Sequence, residues 1–242
     1  MAFTNIAFKL SSFYSYSQWR RYGILGMAVV LGALSFPVAT FGADEDQVRQ
    51  GLPGRRISGA SRLPSNACIQ TTEPLVAIVP ETNLGKTAVA EPTLWLSVPE
   101  VNTEKQLEFY LFNAHNQIIY QTSLIVKPTS DLVGLDLSTM VNAPELEIDQ
   151  RYRWAASIVC NPNNISENIS VEGWVDRVAP STPENHGLWY DDLGLLVEQL
   201  QHQPHNQDVL SQWQRLMASA RLDRIVPTEV DANSVSISTA GN

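Results

Sequence analysis

A chain of 242 residues, 44% apolar and 17% charged, is composed like a folded globular protein and not like a disordered one. Its formal net charge of -9, from 16 basic and 25 acidic residues, argues against binding nucleic acid or anionic membrane through bulk electrostatics. Acidity of this size serves solubility and specifies no partner.

Residues 1–22 are polar, aromatic and basic and end in Trp19-Arg20-Arg21-Tyr22. An uncharged run, Gly23 to Val38, leads to small residues and then to Asp44-Glu45-Asp46. That order predicts a signal peptide over 1–43, with cleavage after Gly42 or Ala43 and a periplasmic or secreted product. The alternative is an uncleaved anchor, which would be the chain's only tie to a membrane, but the run is short for a span and Pro37 interrupts it. The arginine pair suits both the general and the twin-arginine route. No cysteine follows the apolar run, which excludes a lipoprotein anchor.

Export makes the cysteine count informative. Cys68 and Cys160 are an even pair in an oxidising compartment, so a disulfide is predicted; two buried free thiols are the alternative. Closing a loop of about 90 residues is worth roughly 4–5 kcal/mol by the chain-entropy argument.

Residues 44–67 are polar, with glycines and prolines spread through them, and read as an extended or disordered leader. Gly54-Arg55-Arg56 within it is either a linker charge pair or a docking or processing site. Between 68 and 180 the apolar residues recur as in strands: Leu75–Val79, Thr93–Val98, Leu107–Asn113, Ile118–Val126, Leu132–Leu137, 152–160 and 169–178. Pro80–Thr87 reads as a long loop and Asn113–Gln117 as a hairpin turn. In Arg151–Cys160, Tyr152, Trp154, Ala156, Ile158 and Cys160 share one face. Leu146 lies six residues before Tyr152, a spacing like that of a tyrosine corner. Seven short strands without intervening helices predict a mainly β domain, an immunoglobulin/fibronectin-like antiparallel β-sandwich.

The period then changes. Trp189, Leu193, Leu196, Val197 and Leu200 share a helical face, and Val209, Leu210, Trp213, Leu216 and Met217 share a second, behind Asn206 as N-cap. Residues 184–226 are therefore predicted to form an αα-hairpin packed on the sandwich, and 227–242 a disordered tail.

Several stretches resemble one family. They are Leu75–Thr87, Pro92–Pro99, Tyr152-Arg153-Trp154 with Cys160, Val171–Val178 and Trp189–Leu193, with Gly54-Arg55-Arg56 ahead of them. The chain resembles, over roughly residues 54 to 222, the exported cyanobacterial family of domain of unknown function 928. The resemblance implies a periplasmic or secreted location and brings no activity and no catalytic residues.

The residues themselves spell no reaction. There is no nucleophile elbow, phosphate loop, zinc signature or dinucleotide fingerprint, and His115, His186, His202 and His205 do not form a ligand set, so no cofactor and no metal are expected. Glu172 and Asp176 flank Trp174 on one strand face. Such a group either grips a sugar, or packs structurally, with Trp174 under the helices and the acids paired to Arg151 or Arg153. Two functional readings follow. One is a non-catalytic exported binding or adaptor module, contacting an envelope protein or glycan through Glu81, Thr82, Asn83, Lys86 and Trp174, because recognition sits on loops beside rigid strands. The other is an envelope hydrolase acting on a polysaccharide through paired carboxylates drawn from Glu81, Glu91 and Glu172. A structural envelope component would look much like the first.

Overall fold

Alternating apolar residues, cut into short runs by Pro, Asn and Gly, set most of the strands. The computed structural model describes residues 52–59, 68–71, 73–128, 131–180, 187–226 and 235–237; the predicted signal peptide lies outside them. The described residues cluster as one compact unit. The described strands are β1 (Val76–Ala77), β2 (Leu84–Thr87), β3 (Thr93–Val98), β4 (Lys105–Phe112), β5 (Ile118–Val126), β6 (Asp131–Asp136), β7 (Gln150–Ile158), β8 (Ile169–Arg177) and β9 (Val235–Ile237). The helices are α1 (Trp189–His202) and α2 (Gln207–Ser219). The protein is thus mainly β, and its described residues form two open sheets, ordered β1-β3-β6-β9 and β2-β8-β7-β4-β5, and two helices.

Two pairings depart from the antiparallel prediction. β2 runs parallel to β8, and β9 parallel to β6. Half of the expected Pro80–Thr87 loop is therefore a strand. Asn83, at φ 62, closes a tight turn with its N–H on the Pro80 carbonyl, and the chain then runs alongside β8. Part of the expected disordered tail is likewise strand β9.

Both sheets feed one apolar core. On β7 the predicted face, Tyr152, Trp154, Ala156 and Ile158, is buried. Trp154 is fully enclosed; an indole of that area contributes on the order of 4–6 kcal/mol before conformational entropy. Its cross-strand partner is Gly173, and the ring lies so close that a Cβ there would stand 2.7 Å from it. Tyr152 forms the expected corner, its hydroxyl accepting the Glu147 N–H at 2.9 Å. Cys68 and Cys160 are disulfide-bonded, Cα atoms 5.4 Å apart, tying the segment ahead of β1 to the end of β7.

Helix α1 puts two aromatic residues into the body. Trp189 donates its indole N–H to the Ile78 carbonyl at 3.0 Å. Tyr190 accepts the Trp154 indole N–H at 3.0 Å and donates to the Trp174 carbonyl at 2.9 Å. Burial raises the Tyr190 hydroxyl well above its ordinary pKa; the Trp154 hydrogen bond opposes the rise and the charge of Asp176 adds to it. At the start of α2 the Asn206 side chain accepts the Asp208 and Val209 N–H groups, as its position predicts. Among the described residues no helix is long and apolar enough to cross a membrane.

Residues 52–59, expected in a disordered leader, lie on the body. The Arg55 carbonyl accepts the Glu172 N–H of β8, and the Arg56 carbonyl accepts the Ala77 N–H of β1. The segment thus bridges one strand of each sheet, which satisfies backbone groups that an open edge leaves unpaired. The Arg56 guanidinium donates to the Ala220 carbonyl just past α2, at 2.5 Å. Gly54-Arg55-Arg56 is a strut rather than a loose charge pair.

Candidate functional site

The five predicted binding residues scatter over different roles. Glu81 is exposed and ion-paired with Arg221 at 3.1 Å. The Thr82 hydroxyl is turned back onto the Leu84 carbonyl. Asn83 is buried under the leader, its amide N–H groups directed to the carbonyls of Leu52 and Pro53 and its Oδ1 without a partner. Lys86 is exposed opposite Asp176 in the β2–β8 register. Trp174 donates its indole N–H to the Pro53 carbonyl at 2.7 Å, so the leader, and not the helical pair, holds its ring.

The acids flanking Trp174 are engaged. Asp176 takes a two-pronged contact from Arg151, at 2.7 and 2.8 Å, and Glu172 pairs with Arg153 at 3.3 Å. The Arg153 guanidinium also lies 3.7 Å above the Phe112 ring. The hydrolase trio is not assembled either: Glu172 borders a hollow with Gly54, Arg55 and Ser170, while Glu91 lines a different cleft and Glu81 lines neither.

That second cleft, of about 730 Å³, lies between β3, β6 and α1 and falls in the size range of small-ligand pockets. Its formation follows from β3. Leu94, Trp95 and Leu96 are all buried, so this strand is covered on both faces, one by the core and one by α1. Trp95 can lie flat against β6 because its cross-strand neighbour is Gly134, where a Cβ would come within 2.9 Å of the ring. On the facing helix Gly194 presents no side chain, and a Cβ there would meet nothing within 4 Å, which keeps the space open.

The lining is apolar at the lips and acidic around them. Val89 and Leu195 are 48% and 60% exposed. Four carboxylates, Glu91, Asp136, Asp191 and Glu198, join them, with no lysine or arginine in the lining. Two of the four are held by the fold. Asp191 accepts from the Thr87 hydroxyl at 2.5 Å and from the Ala88 N–H at 2.9 Å, pinning the first turn of α1 to the end of β2. Asp136 accepts from the Ser138 hydroxyl and N–H. Glu91 and Glu198 make no ion pair among the described residues. Trp95, only 3% exposed, lines the cleft; its indole N–H is itself buried and meets no acceptor. Among the described residues no three His, Cys, Asp or Glu side chains are grouped to hold a metal ion.

Sequence reasoning found Glu91 and the Trp95 strand but not their meeting with α1. The available signal was the unbroken apolar run at 94–96, which marks a strand covered on both sides. Against known families, the profile described as Domain of Unknown Function (DUF928) matches residues 57–230. No curated protein matches the chain.

Proposed function

The chain belongs to the DUF928 family, and from that premise and the geometry of the cleft we propose that it is a non-catalytic binding module, exported to the periplasm or secreted, as in a cyanobacterial envelope. In this reading the two sheets form an immunoglobulin/fibronectin-like sandwich, a view supported by the Tyr152–Glu147 corner, and α1 and α2 form a helical hairpin against it. The ligand, an envelope protein or glycan, enters the cleft between β3 and α1. One observation carries this: a cleft of about 730 Å³ is walled by the nearly enclosed Trp95 and lipped by the exposed apolar side chains of Val89 and Leu195. The Cys68–Cys160 bridge fits export.

A second reading has one observation in its favour. Glu91, from the predicted hydrolase trio, shares the cleft with Glu198, so two uncommitted carboxylates line one space. Against it stands the neighbourhood: Asp191 and Asp136 are tied into the fold.

The test is retention of envelope components on the immobilised protein, compared with Leu195→Arg and Glu198→Arg. Both positions are exposed on the cleft wall, so folding is preserved. Components lost from both variants support the cleft, and equal retention by all three proteins refutes it. Turnover of envelope glycan that stops in Glu91→Gln would establish the hydrolase instead.

A further inference from the structure

We propose that β5 joins two copies of this chain: its open edge pairs antiparallel with the β5 edge of a second copy, about a two-fold axis at the middle of the strand. β5 is the last strand of its sheet, and among the described residues it pairs only with β4. It is nine residues long and has no charged residue, no proline and no glycine. Edges that must stay single are shortened, charged or interrupted, because their free N–H and C=O groups otherwise template association. β5 has one such interruption, a bulge at Ile119, where β4 steps from Leu111, opposite Tyr120, to Phe112, opposite Ile118. It leaves Tyr120–Val126 as a regular edge. Ile118, Ile119 and Ile125 are 54%, 39% and 64% exposed, three large apolar side chains on one strand. None of these residues lines the cleft between β3 and α1, so this inference stands apart from the binding reading.

The direction of the free backbone groups follows from the pairing. The Gln106 carbonyl accepts the Val159 N–H, so Gln106 turns toward β7, and by alternation Leu107, Phe109 and Leu111 turn toward β5. Their partners Leu124, Thr122 and Tyr120 turn back to β4, which leaves Gln121, Ser123 and Ile125 directing N–H and C=O outward. The strand is also close to palindromic in character: Ile118-Ile119-Tyr120, then Gln121-Thr122-Ser123, then Leu124-Ile125-Val126. A two-fold axis at Thr122 or Ser123 lays the apolar start of each copy on the apolar end of the other and the polar centre on itself. No like charges meet across the contact. A two-fold contact needs such a self-matching surface, and a partner of different sequence does not, so the pattern points to a second copy.

Analytical ultracentrifugation of the full chain over a concentration series is expected to show a dimer that dissociates on dilution. Ser123→Lys sets like charges facing each other near the axis and should raise the midpoint concentration about tenfold or more. Ser123 is exposed and lies opposite Glu108 on β4, so the lysine is accommodated within the copy that carries it. Leu195→Arg adds the same charge at an exposed apolar position on α1 and should leave the midpoint unchanged. Thr122→Cys or Ser123→Cys should cross-link to its own counterpart under mild oxidation, because Cys68 and Cys160 are bonded to each other; Glu104→Cys, exposed and outside β5, should not. A monomer at every concentration overturns the inference, as does a dimer that Ser123→Lys leaves intact. Equal weakening by Ser123→Lys and Leu195→Arg would show unspecific association and overturn it too. So would a monomer whose Gln121, Ser123 and Ile125 amides resist hydrogen exchange, since another part of the same chain would then cover the edge. Thermal unfolding confirms that each variant is folded, and the cysteine pairs test the contact without an added charge.

Discussion

Gly173→Ala is the sharpest test of how the core is built. Gly173 lies opposite Trp154 in the β7–β8 register, and a Cβ there would stand 2.7–2.8 Å from Cε2, Cζ2 and Nε1 of the indole. Carbon atoms in contact prefer about 3.5–4.0 Å, so the ring must move by most of an ångström. It has little room: Trp154 is fully buried and its N–H is fixed on Tyr190, itself held by the Trp174 carbonyl. Overpacking of this kind costs about 1–3 kcal/mol, and the pinned ring places this case in the upper half of that range. For a protein of this size the melting temperature should fall by about 4–12 °C. Urea unfolding followed by circular dichroism measures the cost. The control is the same substitution in a Trp154→Phe background, where the crowding atoms are gone. There alanine should be neutral or slightly stabilising, since it restricts the unfolded chain more than glycine does. An undiminished cost in that background would show that the glycine is needed for its backbone, and the close-approach argument would fail.

Reduction of the Cys68–Cys160 bridge should lower the urea midpoint, by a free energy approaching roughly 4–5 kcal/mol if the loop-closure argument holds, and the Cys68→Ser/Cys160→Ser chain should match the reduced parent. Identical midpoints with and without reductant would refute the contribution. Tyr190 sets an alkaline limit. Its folded pKa lies above the unfolded value of about 10, so the stability it contributes is complete below that pH and lost as pH rises beyond it. Ultraviolet titration of the phenolates should show a late fraction that ionises only as the protein unfolds; complete ionisation of all tyrosines with the fold intact would contradict the burial.

The sequence by itself determined most of the elements. Short apolar runs mark β3 and β5 to their ends, and the change to helical period marks α1 and α2 with Asn206 as cap. The Tyr152 corner and the cysteine pairing were legible too, the first because it is local and the second because the chain has only two cysteines. Periodicity says which face of an element is buried, but not what buries it. That is why the sequence leaves Trp174 either gripping a sugar or packed under the helices, whereas its indole is held by the leader. β2 and the bridging stretch 52–59 are too short and polar to signal a strand alone; they become ordered by completing the edges of sheets whose other strands lie far along the chain. The cleft has the same origin. Glu91 with Trp95, Asp136, and Glu198 belong to three separate segments, and only the docking of α1 on the body, through Trp189, Tyr190 and Asp191, brings them around one space.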